Sequence, residues 1–283
     1  MKRLLLGIVV FIETVFGIKA QVPLMKVEVP ENVLEEIERR NSEIVVSSVN
    51  GKTSVYPYEY SDCKSLRKVE LEEGIKEIGE YAFLGCENLE EIILPSSLSE
   101  IGEGAFRECK SLKRLVIPEG VKVIPAYLCV WDDSLEELLV PESIEDIQRN
   151  AFAYCSSLND FKFPSHLKHI GSNAFSFCSS FTEIDLPDSI EELESYAFSD
   201  CGKLKKARLP ANSNMLGELI FTGCFSMEEV IEPSETPPPF DCDSPLFDPS
   251  ETKIWEQCRL TVPPSSLFLY RNAPGWSLFF QPQ

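Results

Sequence analysis

Only two of the 283 residues are histidine, and basic side chains are scarce. Twenty-six Lys and Arg stand against 46 Asp and Glu, a formal charge of −20. So acidic a surface repels phosphate backbones, which argues against nucleic acid as a partner and against an anionic membrane face. No Gly-x-Ser-x-Gly elbow and no glycine-rich phosphate loop occurs, so neither that type of hydrolysis nor nucleotide binding is signalled. Both histidines, His166 and His169, fall in one short stretch and are accounted for by a polar edge, which leaves no nucleophile–base constellation. A glycosidase-like carboxylate pair stays open on composition alone, because acids are so numerous. No apolar run is long enough to span a bilayer, which takes about 20 residues.

The N-terminus does carry a shorter apolar run. Lys2 and Arg3 precede residues 4–12, which are apolar up to Glu13. A basic start followed by a short apolar stretch reads as a secretory signal, with cleavage after Ala20. Removing residues 1–20 takes away a net +2 and leaves −22. There is no cysteine near that point to support a lipid anchor.

Ten cysteines in an exported chain usually mean a disulfide framework. Their spacing points elsewhere. Cys63, Cys86, Cys109, Cys155, Cys178, Cys201 and Cys224 lie on one 23-residue grid whose single vacancy is Asp132. Three residues on come Leu66, Leu89, Leu112, Leu135, Leu158, Phe181, Leu204 and Met227. After them come Val69, Ile92, Leu115, Leu138, Phe161, Ile184, Ala207 and Val230. A proline recurs at Pro95, Pro118, Pro141, Pro164, Pro187, Pro210 and Pro233, and an Ala-Phe pair such as Ala82-Phe83 closes most turns.

A fixed period of this length marks a solenoid, because a single turn is too small to bury its own apolar face. Residues 66–71 alternate apolar and polar and read as a strand that the next proline ends. A second short extended piece is expected over residues 75–78, then a helical turn before each Ala-Phe pair. The fold class is therefore an α+β repeat of 23-residue turns, capped at both ends.

The repeat C-x-x-L-x-x-[IV]-x-[LI]-P resembles the BspA-type (treponemal) leucine-rich-repeat family of bacterial surface proteins, over residues 60 to 280. The resemblance implies a right-handed, curved leucine-rich-repeat solenoid, exported and displayed on the cell, with some members acting as adhesins. On this reading residues 1–20 are the signal peptide and 21–59 an N-terminal cap. Residues 60–232 are the solenoid and 233–283 a C-terminal repeat and cap. In the first cap, residues 31–40 read as an acidic amphipathic helix. Asn50-Gly51, between residues 44–49 and 52–56, reads as a hairpin turn. In the last cap, residues 260–276 read as the closing strand and helix.

The gridded cysteines share the register of the apolar slots, so buried free thiols are expected. Single cysteines at this period do not converge as metal ligands, and no cofactor is implied. Cys129 takes the Phe slot of an irregular fourth turn and should be core. Cys242 and Cys258 stand off the grid, where a disulfide stays open. His169 has Asp146 and Glu192 at the equivalent slots one turn either side. A surface ion pair is the ordinary reading; a metal or pH-sensing site is the sharper one. Arg67-Lys68, Glu90-Glu91, Lys113-Arg114 and Glu136-Glu137 alternate in sign from turn to turn, a structural ladder that lapses at Asn159-Asp160 and Thr182-Glu183.

Two features are left as candidate partner-binding sites. The outward slot of the main strand is apolar on three successive turns, at Ile93, Val116 and Leu139. Just before the cysteine slot, Trp131, Tyr154 and Phe177 form an aromatic run on three successive turns, which either covers the damaged fourth turn or binds a sugar or an apolar side chain. The expected function is exported, non-catalytic protein binding, including adhesion. Glycan binding through the aromatic ridge is the alternative, and a hydrolase the least favoured.

Overall fold

The computed structural model describes residues 42–46, 51–213, 215–240 and 245–280. The expected signal segment, the helix over residues 31–40 and Cys242 lie outside them. The described residues belong to one compact unit, Arg40–Gln283.

Each turn of the chain lays down a main strand and a shorter second one, and like strands stack in parallel. The main column comprises β1 (Glu43–Val46), β3 (Lys68–Leu71), β5 (Glu91–Ile93), β7 (Arg114–Val116), β9 (Glu137–Leu139), β12 (Glu183–Asp185), β14 (Lys206–Arg208), β16 (Glu229–Ile231) and β17 (Arg259–Thr261). The second comprises β2 (Ser54–Val55), β4 (Glu77–Ile78), β6 (Glu100–Ile101), β8 (Val123–Ile124), β10 (Asp146–Ile147), β11 (His169–Ile170), β13 (Glu192–Leu193) and β15 (Met215–Leu216). Pairing between repeat rungs keeps a 23-residue register, as in Val69 opposite Ile92 and Ile147 opposite Ile170.

The alternation of the sequence dictates which side chains go inward. Along β5, β7, β9 and β12 the middle residue is buried and its two neighbours are exposed. Buried residues then stack into ladders: the Leu column, and the Phe and cysteine columns, which Cys129 and Asp132 interrupt at the fourth turn. Phe83 and Phe106 stack with ring centroids 5.8 Å apart, and Phe175 and Phe198 at 5.3 Å.

The thiols are free, as their register implies. Beyond filling space, they cap backbone. Sγ of Cys86, Cys109, Cys155, Cys178, Cys201 and Cys224 each donates to a carbonyl 26 residues earlier, at 3.1–3.4 Å. Burial pushes the Cys109, Cys155 and Cys178 thiols well above their ordinary range, so they stay protonated and unreactive. Cys129 is buried in its Phe slot, and Cys258 is also a free thiol.

Two expectations need correction. The stretch around each Ala-Phe pair is a series of turns, not a helix. Ala82 and Leu84 donate back three residues, to Gly79 and Tyr81, whereas Phe83 and Gly85 donate to Ala105 and Arg107 on the next rung. A helix would keep all these amides to itself; here every second one is spent on stacking. The alternation is made possible by left-handed backbone at two slots per turn, as at Tyr81 and Gly85.

The second correction concerns Asn50-Gly51. β1 and β2 do not pair with each other, so they are no hairpin. β1 pairs in parallel with β3 and β2 with β4. Ile44 lies opposite Val69, an offset of 25, while Val55 lies opposite Ile78, an offset of 23. The chain therefore holds two more residues between β1 and β2 than between β3 and β4; Asn50 itself lies outside the described residues. At the other end β17 pairs with β16. A short helix, α1 (Thr252–Gln257), precedes β17, and a second, α2 (Leu267–Asn272), follows it with the buried rings of Tyr270 and Trp276.

Candidate interaction surface

The outward slots of the main column read Glu70, Ile93, Val116, Leu139, Lys162, Asp185, Arg208 and Ile231. Ile93, Val116 and Leu139 are 39–43% exposed, each on the solvent side of its strand. Strand geometry therefore places the three aliphatic side chains in one row across β5, β7 and β9. Two residues back along the strands runs the charge ladder. Arg67 pairs with Glu90 at 2.5 Å, Lys68 with Glu91 at 3.0 Å and Arg114 with Glu137 at 2.6 Å.

The main column is not one continuous sheet. β5 and β7 are not hydrogen-bonded to each other, and β12 begins a separate sheet. On intact rungs two successive amides converge on one carbonyl of the preceding rung, as Glu90 and Glu91 do on Arg67. Among the described residues, the amides of Lys113 and Arg114 lack this bond, as do those of Thr182 and Glu183. Nor does an ion pair join Glu90 or Glu91 to Lys113 or Arg114 there. A shallow groove opens at each interruption. The one between β5 and β7, about 930 Å³, is lined by Ile92, Ile93, Leu94 and Val116 beneath charged rims. The other, about 860 Å³, lies where Phe161 and Phe163 fill inward slots that other rungs give to aliphatic residues. Its place matches the lapse of charge alternation at Asn159-Asp160. The first interruption left no mark in the sequence.

Trp131, Tyr154 and Phe177 are 37–39% exposed and stack on one another. Tyr154 and Phe177 lie with centroids 4.4 Å apart and planes 7° from parallel; Trp131 and Tyr154 are 5.8 Å apart. The Arg107 guanidinium sits 4.9 Å from the centroid of Trp131. All three residues have positive φ, between 61° and 66°, at the slot that Gly85 and Gly223 fill elsewhere. A bulky residue in that region is strained by about 1–3 kcal/mol. Gly, Asn and Asp recurring at the two left-handed slots were the readable signal for this backbone. The groove between β5 and β7 includes none of the three rings.

His169 is half-buried between two carboxylates. Its Nδ1 lies 2.6 Å from Asp146 Oδ1, as the register implied, but its Nε2 meets Glu194 Oε1 at 2.9 Å, not Glu192. Glu192 is the strand partner. Glu194 is two residues on, so its side chain points to the same side and reaches back, while same-slot reasoning sees only strand partners. The hydrogen bond to Asp146, with that to Glu194, outweighs burial and raises the His169 pKa to about 9. Burial pushes the Glu194 carboxyl up, but hydrogen bonds from Ser172 and His169 hold it below the ordinary carboxylate range. A histidine whose folded pKa exceeds its unfolded value stabilises fully below about pH 6.5 and loses that contribution as pH rises through about 9. His169→Gln is expected to cost about 1–2 kcal/mol at pH 6, after allowing for solvent screening of this half-exposed group, and almost nothing at pH 10. Thermal melts across that range check it; a constant deficit would refute the ion pair.

No three His, Cys, Asp or Glu side chains among the described residues are arranged to hold a metal ion. Nor is any helix among them long and apolar enough to cross a membrane.

The BspA type leucine rich repeat region, as a family model, matches in six copies over residues 42–155 and 122–237. The chain belongs to the BspA-type leucine-rich-repeat family. Among solved structures, it is similar to a leucine-rich-repeat protein of T. pallidum, with 28% identity, 66% of this chain and 78% of that one covered and a TM-score of 0.47. It is also similar to a leucine-rich-repeat protein of Eubacterium ventriosum, with 15% identity, 87% and 74% covered and a TM-score of 0.50. No curated protein matches the sequence. Within this BspA-type repeat the particular features are an apolar row with a groove on the main sheet, and a strained aromatic ridge.

Proposed function

We propose that the chain is an exported, non-catalytic protein that binds other proteins through Ile93, Val116 and Leu139, and that it acts in adhesion at the cell surface. One observation carries this reading: a row of exposed aliphatic side chains along the main strand column, whose other outward positions are mostly charged. Such a row costs solubility unless something covers it. A repeat stack holds it rigid, so little ordering entropy is lost on binding.

The chemistry at His169 supports a non-catalytic role. Both ring nitrogens face carboxylates, and the Ser172 hydroxyl donates to Glu194 instead of the imidazole. A histidine with a pKa near 9 carries its proton at neutral pH and is no general base. Glycan binding by the aromatic ridge is less favoured because a sugar needs a free ring face, and of the three rings only Phe177 has a face with no ring or cation against it among the described residues. Tyr154 lies between its two neighbours, and Arg107 sits over Trp131. Stacking and cation–π contact account for the ridge as packing over the damaged turn.

Val116→Asp and Leu139→Asp each place a carboxylate in the row while leaving the buried side of the strand untouched. Each is expected to lower retention of proteins from host matrix and mucus extracts at least about tenfold, with an unchanged melting profile. Equal retention by wild type and both variants sinks the surface. The same chain bound to a glycan array, with signal lost only in ridge variants, would favour the glycan reading. Export predicts that protein recovered from culture fluid or cell surface begins at Gln21.

A further inference from the structure

The spacing of the row says what kind of protein element fits it, given the reading that the row is the binding surface. Hydrogen-bonded parallel strands lie about 4.7–4.9 Å apart, so Val116 and Leu139, on the paired strands β7 and β9, stand about that far from each other. An α-helix laid along the stack offers one side chain per turn at a pitch of about 5.4 Å. Over the Val116–Leu139 interval the mismatch is about 0.6 Å. An extended peptide in the same direction repeats on one face about every 6.7 Å and is out of step by about 2 Å over the same interval. Periodicity thus favours a helix over a strand. The groove between Ile93 and Val116 gives one of its side chains a seat.

The ends of the row carry charge. The same outward slot holds Glu70 one rung before Ile93 and Lys162 one rung after Leu139. Glu70 forms no ion pair among the described residues, and the Lys162 side chain is 90% exposed and 3.8 Å from Glu142. Around the row, residues 86–147 carry fourteen acidic and five basic side chains, and three of those bases, Arg107, Lys110 and Arg114, already lie within ion-pair reach of Glu108, Glu87 and Glu137.

We infer that the row receives an amphipathic α-helix of a partner protein, lying along the stack with aliphatic residues at i, i+3 or i+4, and i+7. A basic residue one turn beyond meets Glu70, and an acidic residue one turn before meets Lys162. The polarity follows from the helix itself, which favours acidic side chains in its first turn and basic ones in its last. Its N-terminus therefore lies over Lys162 and its C-terminus over Glu70.

The test uses the full chain and three synthetic peptides of about 18 residues and one composition. The first has leucines at helical spacing, an acidic residue one turn before them and a basic residue one turn after. The second carries the leucines at alternate positions. The third is the first with its acidic and basic residues exchanged. The first is expected to bind with a Kd in the tens of micromolar, gaining helix by circular dichroism as it does so. Val116→Asp and Leu139→Asp should abolish that binding. The third should bind about tenfold more weakly, with the difference shrinking as salt rises. The second should not bind. Failure of the first peptide, or equal binding of the second, overturns the helix while leaving the row standing if the Asp variants still lose protein retention. Unchanged retention removes the row itself, and the helix with it.

Discussion

Truncating Phe175 to alanine is expected to destabilise the protein by about 4–5 kcal/mol, near the top of the range for a buried phenylalanine. The reason is its position as a hub. Its ring stacks on Phe198 at 5.3 Å and on Phe152 at 5.4 Å, and it meets Phe161, Phe163 and Phe181 at 5.3, 5.5 and 5.9 Å. Phe161 and Phe163 belong to the rung that has lost its main strand. There the rings take the place of the main-strand ladder, while the second column stays paired through β11. Phe106 supplies the comparison. It stacks on Phe83 on one side, but the slot on the other holds Cys129. Phe106→Ala should therefore cost about 1 kcal/mol less, since aromatic pairs add roughly 0.5–1.5 kcal/mol each beyond burial. Chemical denaturation of the two variants measures the difference. Equal costs would show that the cluster around Phe175 has no stabilising role beyond that of an ordinary core ring.

Asp132→Cys is expected to act in the opposite direction, stabilising by about 2–3 kcal/mol at neutral pH. Asp132 fills a cysteine slot and is fully buried. One carboxylate oxygen accepts from the Cys109 amide at 2.8 Å, but the other has no hydrogen-bond partner among the described residues. Burial raises its pKa well above the carboxylate range, outweighing the bonds from Cys109 and Cys129. An acid whose folded pKa exceeds its unfolded value favours the fold at low pH and loses that contribution as pH rises above about 4. The advantage of the cysteine variant should then be small near pH 4 and grow toward neutrality. A thiol in that slot also restores the donor that the other rungs aim at the carbonyl 26 residues earlier, here that of Phe106. Melting curves from pH 4 to 8 decide it. A gain independent of pH would mean that packing, not the buried carboxyl, limits stability at this rung.

Asp132 lies beside Trp131, so the damaged turn combines a buried acid with the first residue of the strained ridge. The simplest physical account links them. A rung that has lost its Phe and its cysteine packs less well inside, and the stacked rings outside, with Arg107 over Trp131, supply contacts that the interior lacks. The strain of three bulky residues at positive φ is offset by that stacking.

Much of this protein was legible before any coordinates. A strict 23-residue period determines which residues share a slot, and stacking identical turns converts a slot into a ladder. The Phe column, the free buried thiols, the alternating ion pairs and the exposed row of Ile93, Val116 and Leu139 all follow from that one rule. What the period cannot carry is anything that differs between rungs in space instead of in slot. Glu194 reaches His169 from two residues out of register. The strands flanking Asn50-Gly51 join β3 and β4 instead of each other, because a local turn signal does not say which strands the flanking residues will join. The Ala-Phe stretch spends alternate amides on its neighbours, so a locally helical pattern is overridden by the hydrogen bonds of stacking. The interruption between β5 and β7 leaves no trace in the chain, since it reflects how whole rungs settle against each other, and that is a property of the assembled stack.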